Sequence, residues 1–308
     1  KIMNKKYFTF LIGLFLSFFL SCCSSINKNN RENNQIVLVS FTILADIVKN
    51  VAGDQFIVQS ITRPGVEVHG YQTSPKDLVK GSRAKIFIEN GFGFELWSEK
   101  FISNLNIKTV KVSNNLIPIT ISEDAYSGKP NPHAWVSPKR GIIYVDFIQK
   151  ALSELKPESK LIFKKNAEIY KNKILKLDKE FTLFVNSLDD KNKFLVSCEG
   201  AFSYLTYDYG MNEAYLWPVN AESQITPKRM AKVINTVKEN NIPAVFCEST
   251  VNSEPQLAVA RTTGAKFGGN LFVDSLSIEN GPADTYLKLL SHNLELIKKG
   301  LKSNIIKK

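Results

Sequence analysis

The stretch ESKLIFKKNAEIYKNKILKLDKEFTLFVNSL, residues 158–188, decides the fold. It contains neither Pro nor Gly, and Leu161, Ile162, Ala167, Ile169, Ile174, Leu175 and Leu177 recur among many Lys and Glu. Helices in compact domains average about 10–14 residues, so a breaker-free run of this length predicts a spine that connects two lobes rather than an element inside one. Two shorter helices with a turn near Asn172 are the alternative.

Outward from the spine, the same alternation of apolar runs and amphipathic segments appears on both sides. Before it, Ile36–Ser40 reads as a buried strand, and Phe41–Val51 reads as a helix with Leu44, Ile47, Val48 and Val51 on one face. Phe56–Thr62, Lys76–Gly81 and Lys85–Glu89 continue as strand, helix and strand. After it come strand Phe194–Cys198, helices Ala201–Tyr209 and Lys228–Asn240, and strand Ala244–Glu248. Strands separated by helices favour parallel sheets covered on both faces. The expected fold is therefore α/β, with two lobes, each a mostly parallel sheet flanked by helices, joined by one long helix.

Ser74-Pro75, Ser137-Pro138 and Thr226-Pro227 share the form of a helix start. A hydroxyl residue at the N-cap accepts an orphan backbone N–H, and Pro at the first helical position gives up a donor that has no partner there. Each marks the end of a loop that follows a strand, which is where open α/β sheets bind ligands. His69 lies five residues before one cap and His133 four before another. Two of only three histidines thus fall where this fold places its chemistry. Glu199 and Glu222 compete as an acidic partner, because Glu222 also precedes a cap by four residues.

The chain has 308 residues and a net charge of +11, with 22% charged and 11% aromatic residues, values that exclude a disordered polymer and a multi-pass membrane protein. Four Cys are too few for a disulfide-dense scaffold. Lys5 and Lys6 precede an apolar run, Tyr7–Leu20, which is too short to span a bilayer but suits the core of a signal peptide. Phe19-Leu20-Ser21-Cys22 resembles a bacterial lipobox, which makes Cys22, with Cys23 as the alternative, the expected lipidated residue at the start of the mature chain. Residues 1–21 then form the signal peptide, and 22–34 a flexible polar tether to the membrane. The domain assignment continues as 35–157 for the first lobe, 158–188 for the linking helix and 189–308 for the second lobe. Loss of the three leader lysines lowers the charge to +8. The remaining lysines are scattered and form no aromatic-rich basic stripe, so nucleic acid is not an expected partner.

Val68-His69-Gly70-Tyr71-Gln72-Thr73-Ser74-Pro75, Asn131-Pro132-His133-Ala134-Trp135-Val136-Ser137-Pro138 and Glu199-Gly200-Ala201-Phe202-Ser203-Tyr204-Leu205 resemble the substrate-binding lipoproteins of manganese/zinc ABC importers, the TroA-like metal-binding family. Glu248–Asn252, Gly268–Ser277 and Asn90–Glu95 with Trp97 extend the resemblance, which covers about residues 36 to 305 in order. It implies a metal held in the cleft between the lobes by His69, His133, Glu199 and Asp274, and so decides for Glu199 over Glu222. It also implies an extracytoplasmic or periplasmic receptor, anchored by its N-terminal lipid and monomeric, that serves an ABC permease and a cytoplasmic ATPase. The match to a cyanobacterial-type manganese-binding branch implies a disulfide between Cys198 and Cys247.

Two neutral imidazoles and two carboxylates carry a formal −2, which cancels a divalent ion. Carboxylates can bind through one or both oxygens and raise coordination above four, which suits Mn²⁺ better than tetrahedral Zn²⁺. The segment Ser113–Pro130 lacks the His-rich loop frequent in zinc-type relatives. Manganese is the expected cargo, with zinc or iron as alternatives and surface adhesion as another role open to such receptors. His292, in the predicted helix Ala283–Lys299, matches no ligand position and is expected to be structural or solvated. No HExxH, GxSxG or GxxxxGK[ST] motif is present, and no enzymatic activity is expected.

Overall fold

The computed structural model describes residues 35–123, 126–219 and 225–302. The signal peptide, the tether with Cys22 and Cys23, and Glu222 lie outside the described residues. From Ile36 onward the chain forms one compact unit.

The first lobe is a four-stranded parallel sheet in the order β2-β1-β3-β4, built from β1 (Ile36–Val39), β2 (Ile57–Ser60), β3 (Ala84–Glu89) and β4 (Lys108–Lys111). Around it lie α1 (Thr42–Ala52), α2 (Pro75–Arg83), α3 (Ser98–Ser103) and α4 (Pro138–Leu155). In the second lobe, β5 (Phe194–Glu199) pairs in parallel with β6 (Asn212–Trp217), and β7 (Ala244–Glu248) pairs in parallel with β8 (Lys266–Leu271). The Cys198–Cys247 disulfide joins β5 to β7, and the Gln256 amide donates to the carbonyls of Val196 and Phe246 on the same two strands. Helices α6 (Ser203–Tyr209), α7 (Pro227–Glu239) and α8 (Glu254–Thr263) belong to this lobe, and α9 (Tyr286–Lys302) closes the chain.

The spine is a single helix, α5 (Lys160–Asn186), with no turn at Asn172. Its buried face, Phe163, Ala167, Tyr170, Ile174, Phe181, Phe184 and Val185, follows the three- and four-residue steps of an α-helical stripe. The first half holds the first lobe: Phe163 stacks on Phe56 at 5.8 Å, Asn166 donates to the Val51 carbonyl, and the Tyr170 hydroxyl donates to Asp46 at 3.0 Å. The second half holds the second lobe, where Phe181 packs edge-on to Tyr209 at 4.8 Å and Tyr209 donates to Asp178. One apolar cluster accordingly runs from Val37 through the spine to Leu271 and Ile297. Among the described residues no helix is long and apolar enough to cross a membrane.

The three anticipated helix starts form, with one difference in chemistry. Asp77 reaches back to the Ser74 N–H and hydroxyl, and Thr226 accepts from the Arg229 N–H at 3.3 Å. The Ser137 hydroxyl, expected to accept an orphan N–H, instead donates to Asp208 of α6 at 2.7 Å, because Arg140 holds that carboxylate within reach. The cap position thereby ties the lobes together.

Phe181 is fully buried at the junction of spine and second lobe. Truncation of such a side chain leaves a cavity that costs about 3–5 kcal/mol. Urea unfolding of Phe181→Ala is expected to show a loss of that size, and a loss below about 1 kcal/mol would remove the spine from its role in joining the lobes.

Candidate metal centre

The carboxyl-terminal edges of the two lobes face one cleft and bring together side chains far apart in sequence. His69 lies in the loop between β2 and α2, His133 just before the short 3₁₀ turn Ala134–Val136, Glu199 at the end of β5, and Asp274 just beyond β8. The ligating atoms of all four lie within 4.8 Å of one another. The two Nε2 atoms are 3.3 Å apart, His133 Nε2 is 3.5 Å from Asp274 Oδ1, and His69 Nε2 is 4.0 Å from both Glu199 Oε1 and Asp274 Oδ2. His133, Glu199 and Asp274 are buried, and His69 is nearly so.

Local sequence explains how each side chain is held. Glu67 accepts the backbone N–H groups of both His69 and Gly70, which fixes the turn that presents the imidazole. Phe94 packs edge-on to His69 at 4.5 Å and to His133 at 5.7 Å, while Trp135 packs on both Phe94 and His133. Phe94 reaches this position through Gly91-Phe92-Gly93, all at positive φ, and a Cβ on Gly91 would meet Ser113 Oγ at 2.5 Å. Glu95 anchors the same loop by accepting from the Ser40 hydroxyl and the Asn90 N–H, each at 2.7 Å.

His133 donates Nδ1–H to Asn131 Oδ1 at 3.0 Å, so its Nε2 presents a lone pair to the cleft. Around Asp274, the Trp135 indole donates to the Val273 carbonyl, and Leu276 N–H donates to the Thr42 hydroxyl. These bonds join the Asp274 loop to the first lobe. The Glu199 N–H donates to Glu248 Oε2 at 3.2 Å, and Ser197 donates to the Glu199 carbonyl. The Cys198–Cys247 bridge ties the adjacent strand ends together. Closing 49 residues of sequence contributes about 4 kcal/mol on the chain-entropy argument.

Electrostatically the four groups are incomplete without a cation. Burial lowers His69 to about 4 and His133 to about 3, so both imidazoles are neutral near pH 7. Burial raises the Asp274 carboxyl above its ordinary value, partly offset by His69. Asp274 Oδ1 is buried and accepts no hydrogen bond. Burial also pushes Glu248 up to about 8, which leaves it neutral at pH 7 and keeps the formal charge of the centre at −2. Buried anions without a counter-charge are strongly unfavourable, and a divalent ion between the donors removes that penalty.

All four expected ligand residues meet at this centre. His292 lies apart, edge-on to Phe272 with Nε2 3.4 Å from the Asn270 carbonyl. Sequence reading did not anticipate Glu67, Asn131 or Glu248 as supports. Their roles rest on backbone N–H groups and loops that touch only in the folded chain. Glu67 and Asn131 carried a local signal, since each lies two residues before a histidine N–H that it accepts.

The fold and this buried pair of imidazoles with two carboxylates define a two-lobed α/β substrate-binding protein of the metal-receptor class. Residues 37–300 match the family described as zinc-uptake complex component A, periplasmic, and the chain belongs to that family of metal ABC transporter substrate-binding proteins. It is 44% identical over 275 residues to the iron-binding protein YfeA of Yersinia pestis, covering 89% of this chain and 88% of that one. It is 33% identical over 301 residues to the manganese ABC transporter substrate-binding lipoprotein PsaA of Streptococcus mitis, covering 94% and 97%. The Mn-bound periplasmic metal binding protein of Candidatus Liberibacter asiaticus superposes with a TM-score of 0.82 at 36% identity, over 87% of this chain and all of that chain. The protein is thus a transporter component rather than an enzyme, working outside the cytoplasm with a permease and an ATPase.

Acid should compete with metal mainly through the carboxylates. Protonating Asp274, whose pKa is raised, removes a negative charge from the candidate centre as pH falls, whereas the imidazoles take up protons only near 4 and below. Divalent-metal affinity measured by chelator competition is expected to begin to weaken as pH falls below neutral, before the imidazoles take up protons near pH 4. A flat profile between neutrality and that point would contradict this assignment of protons.

Proposed function

We propose that the protein captures Mn²⁺ between His69, His133, Glu199 and Asp274 and delivers it to its permease for import. The observation that carries this reading is the convergence of two neutral imidazoles and two buried carboxylates, with Asp274 Oδ1 accepting no hydrogen bond. A carboxylate-rich set can chelate and exceed four-coordination, which favours a hard ion such as Mn²⁺. The lack of a His-rich segment in Ser113–Pro130 supports the same choice. Zinc still binds more tightly to a given donor set by the Irving–Williams order, so the preference rests on geometry and supply rather than on raw affinity. Iron is the second reading, favoured by the 44% identity to a protein named for iron binding.

In this reading the mature chain starts at lipidated Cys22, residues 22–34 tether it, and a single copy suffices for capture. The lobes span 35–157 and 189–308, with 158–188 between them. Release to the permease requires that the half of the ligand set on each lobe separate from the other.

Metal analysis of the soluble domain truncated after Cys23, with Mn²⁺, Fe²⁺ and Zn²⁺ offered in competition, tests the cargo. One equivalent of metal is expected, with Mn²⁺ retained at physiological supply. Asp274→Ala should weaken Mn²⁺ binding by more than the ~10–100-fold that loss of an outer partner costs. Unchanged binding in that variant would contradict the ligand set.

A further inference from the structure

The four donors come from two lobes, and one amide touches both halves of the set. Asn131 makes every hydrogen bond its side chain can make. Oδ1 accepts from the His133 backbone N–H at 3.1 Å and from His133 Nδ1 at 3.0 Å. Nδ2 donates to the Gly200 carbonyl at 2.7 Å and to Ser203 Oγ at 3.3 Å, both in the second lobe. Gly200 directly follows Glu199. A flipped amide would set NH₂ against the His133 backbone N–H and oxygen against the Gly200 carbonyl, so the orientation is determined by its neighbours.

The chain of donors continues. Ser203 Oγ has one proton and two acceptors in reach, Glu213 Oε2 at 2.8 Å and the Gly200 carbonyl at 3.3 Å. The shorter bond goes to the carboxylate. This leaves a hydroxyl lone pair directed at Asn131 Nδ2 and keeps the Gly200 carbonyl for the amide. Burial pushes Glu213 up to about 7, and Oε2 accepts from Ser203 in either protonation state. Every donor from His133 Nδ1–H through Asn131 and Ser203 thus points toward Glu213.

We propose that Asn131, Ser203 and Glu213 are positioning residues that set the tautomer and aim of His133 only while the lobes are in register. With the lobes together, Asn131 is locked by Gly200 and Ser203, His133 keeps its proton on Nδ1, and Nε2 offers its lone pair to the metal. When the lobes part, Nδ2 loses both acceptors and the amide turns freely. The imidazole then loses its fixed tautomer as well as its carboxylate partners on the other lobe. Metal affinity is coupled in this way to lobe register through a hydrogen-bonded chain that never touches the ion. This inference rests on the reading of His133 as a ligand.

Glu213 and Ser203 border a cavity of about 410 Å³ that Asn131 and Gly200 also line, so their truncation opens onto existing space and the fold should persist. The test uses Ser203→Ala, Glu213→Ala, Glu213→Gln and His133→Ala in the exported domain. Mn²⁺ affinity, the visible spectrum of bound Co²⁺ and thermal unfolding of the metal-free protein are measured on each. Ser203→Ala and Glu213→Ala are expected to weaken Mn²⁺ binding about tenfold and to shift the Co²⁺ bands. Glu213→Gln should restore both, because its amide carbonyl can accept the Ser203 proton. Parental affinity and spectrum in Ser203→Ala and Glu213→Ala would overturn the proposal, whatever their thermal stability. Loss of binding in His133→Ala alone would overturn the coupling but keep the ligand set. Retained binding in His133→Ala would instead overturn the ligand assignment itself.

Discussion

The structure depends on holding two carboxylates and two imidazoles out of water in one place without a counter-charge of their own. Desolvation acts in opposite senses on the two kinds of group, keeping the imidazoles neutral and raising Asp274. The first effect makes the cluster a poor resting place for protons on nitrogen, and the second reflects the missing counter-charge that a divalent ion supplies. A site of this kind has to be assembled by rigid surroundings, because the groups do not attract one another strongly. The aromatic box of Phe94 and Trp135, the Glu67 and Asn131 hydrogen bonds, and the disulfide between the strand ends beside Glu199 and Glu248 provide that rigidity.

Division of the proposed ligand set between lobes makes binding a statement about their register. Each lobe supplies two donors, and the contacts that cross the cleft also act on the ligands. Trp135 fixes the loop that carries Asp274, and Asn131 clamps the peptide after Glu199 while orienting His133. The spine helix is the element that makes such register possible, with separate polar and aromatic anchors for each lobe along its length.

Much of this was legible in the sequence, for identifiable reasons. The spine could be read because no breaker interrupts its apolar stripe, and the strands near Ile36, Lys85, Phe194 and Ala244 because apolar runs in a parallel sheet are nearly continuous. Strand β8 escaped that reading: it carries Gly268 and Gly269, which resemble a turn. The first is required because a Cβ there would meet the Phe246 ring at 2.2 Å. Strand β4 is only four residues with Lys at both ends. That His69, His133, Glu199 and Asp274 would converge followed from His placement together with family resemblance, whereas spacing alone left Glu199 and Glu222 open. Only the local part of the Asn131 role, accepting the His133 N–H two residues on, lay within reach of the sequence, since its other partners Gly200 and Ser203 lie 69 and 72 residues away. Ser137 looked like an ordinary cap until Asp208 drew its hydroxyl across the lobes.

The proposed donor set also limits what the metal can be. Oxygen-rich coordination with neutral nitrogen donors accommodates several divalent ions, so selection depends on coordination number and on supply rather than on a unique fit. Cys198 and Cys247, joined to each other, are not available as ligands. The central claim is that two imidazoles and two carboxylates from opposite lobes hold one ion. X-ray absorption at the manganese edge of the Mn-loaded protein tests it most directly: the account predicts a shell of oxygen with two imidazole nitrogens and no sulfur, and a shell with sulfur, or without imidazole, would contradict it.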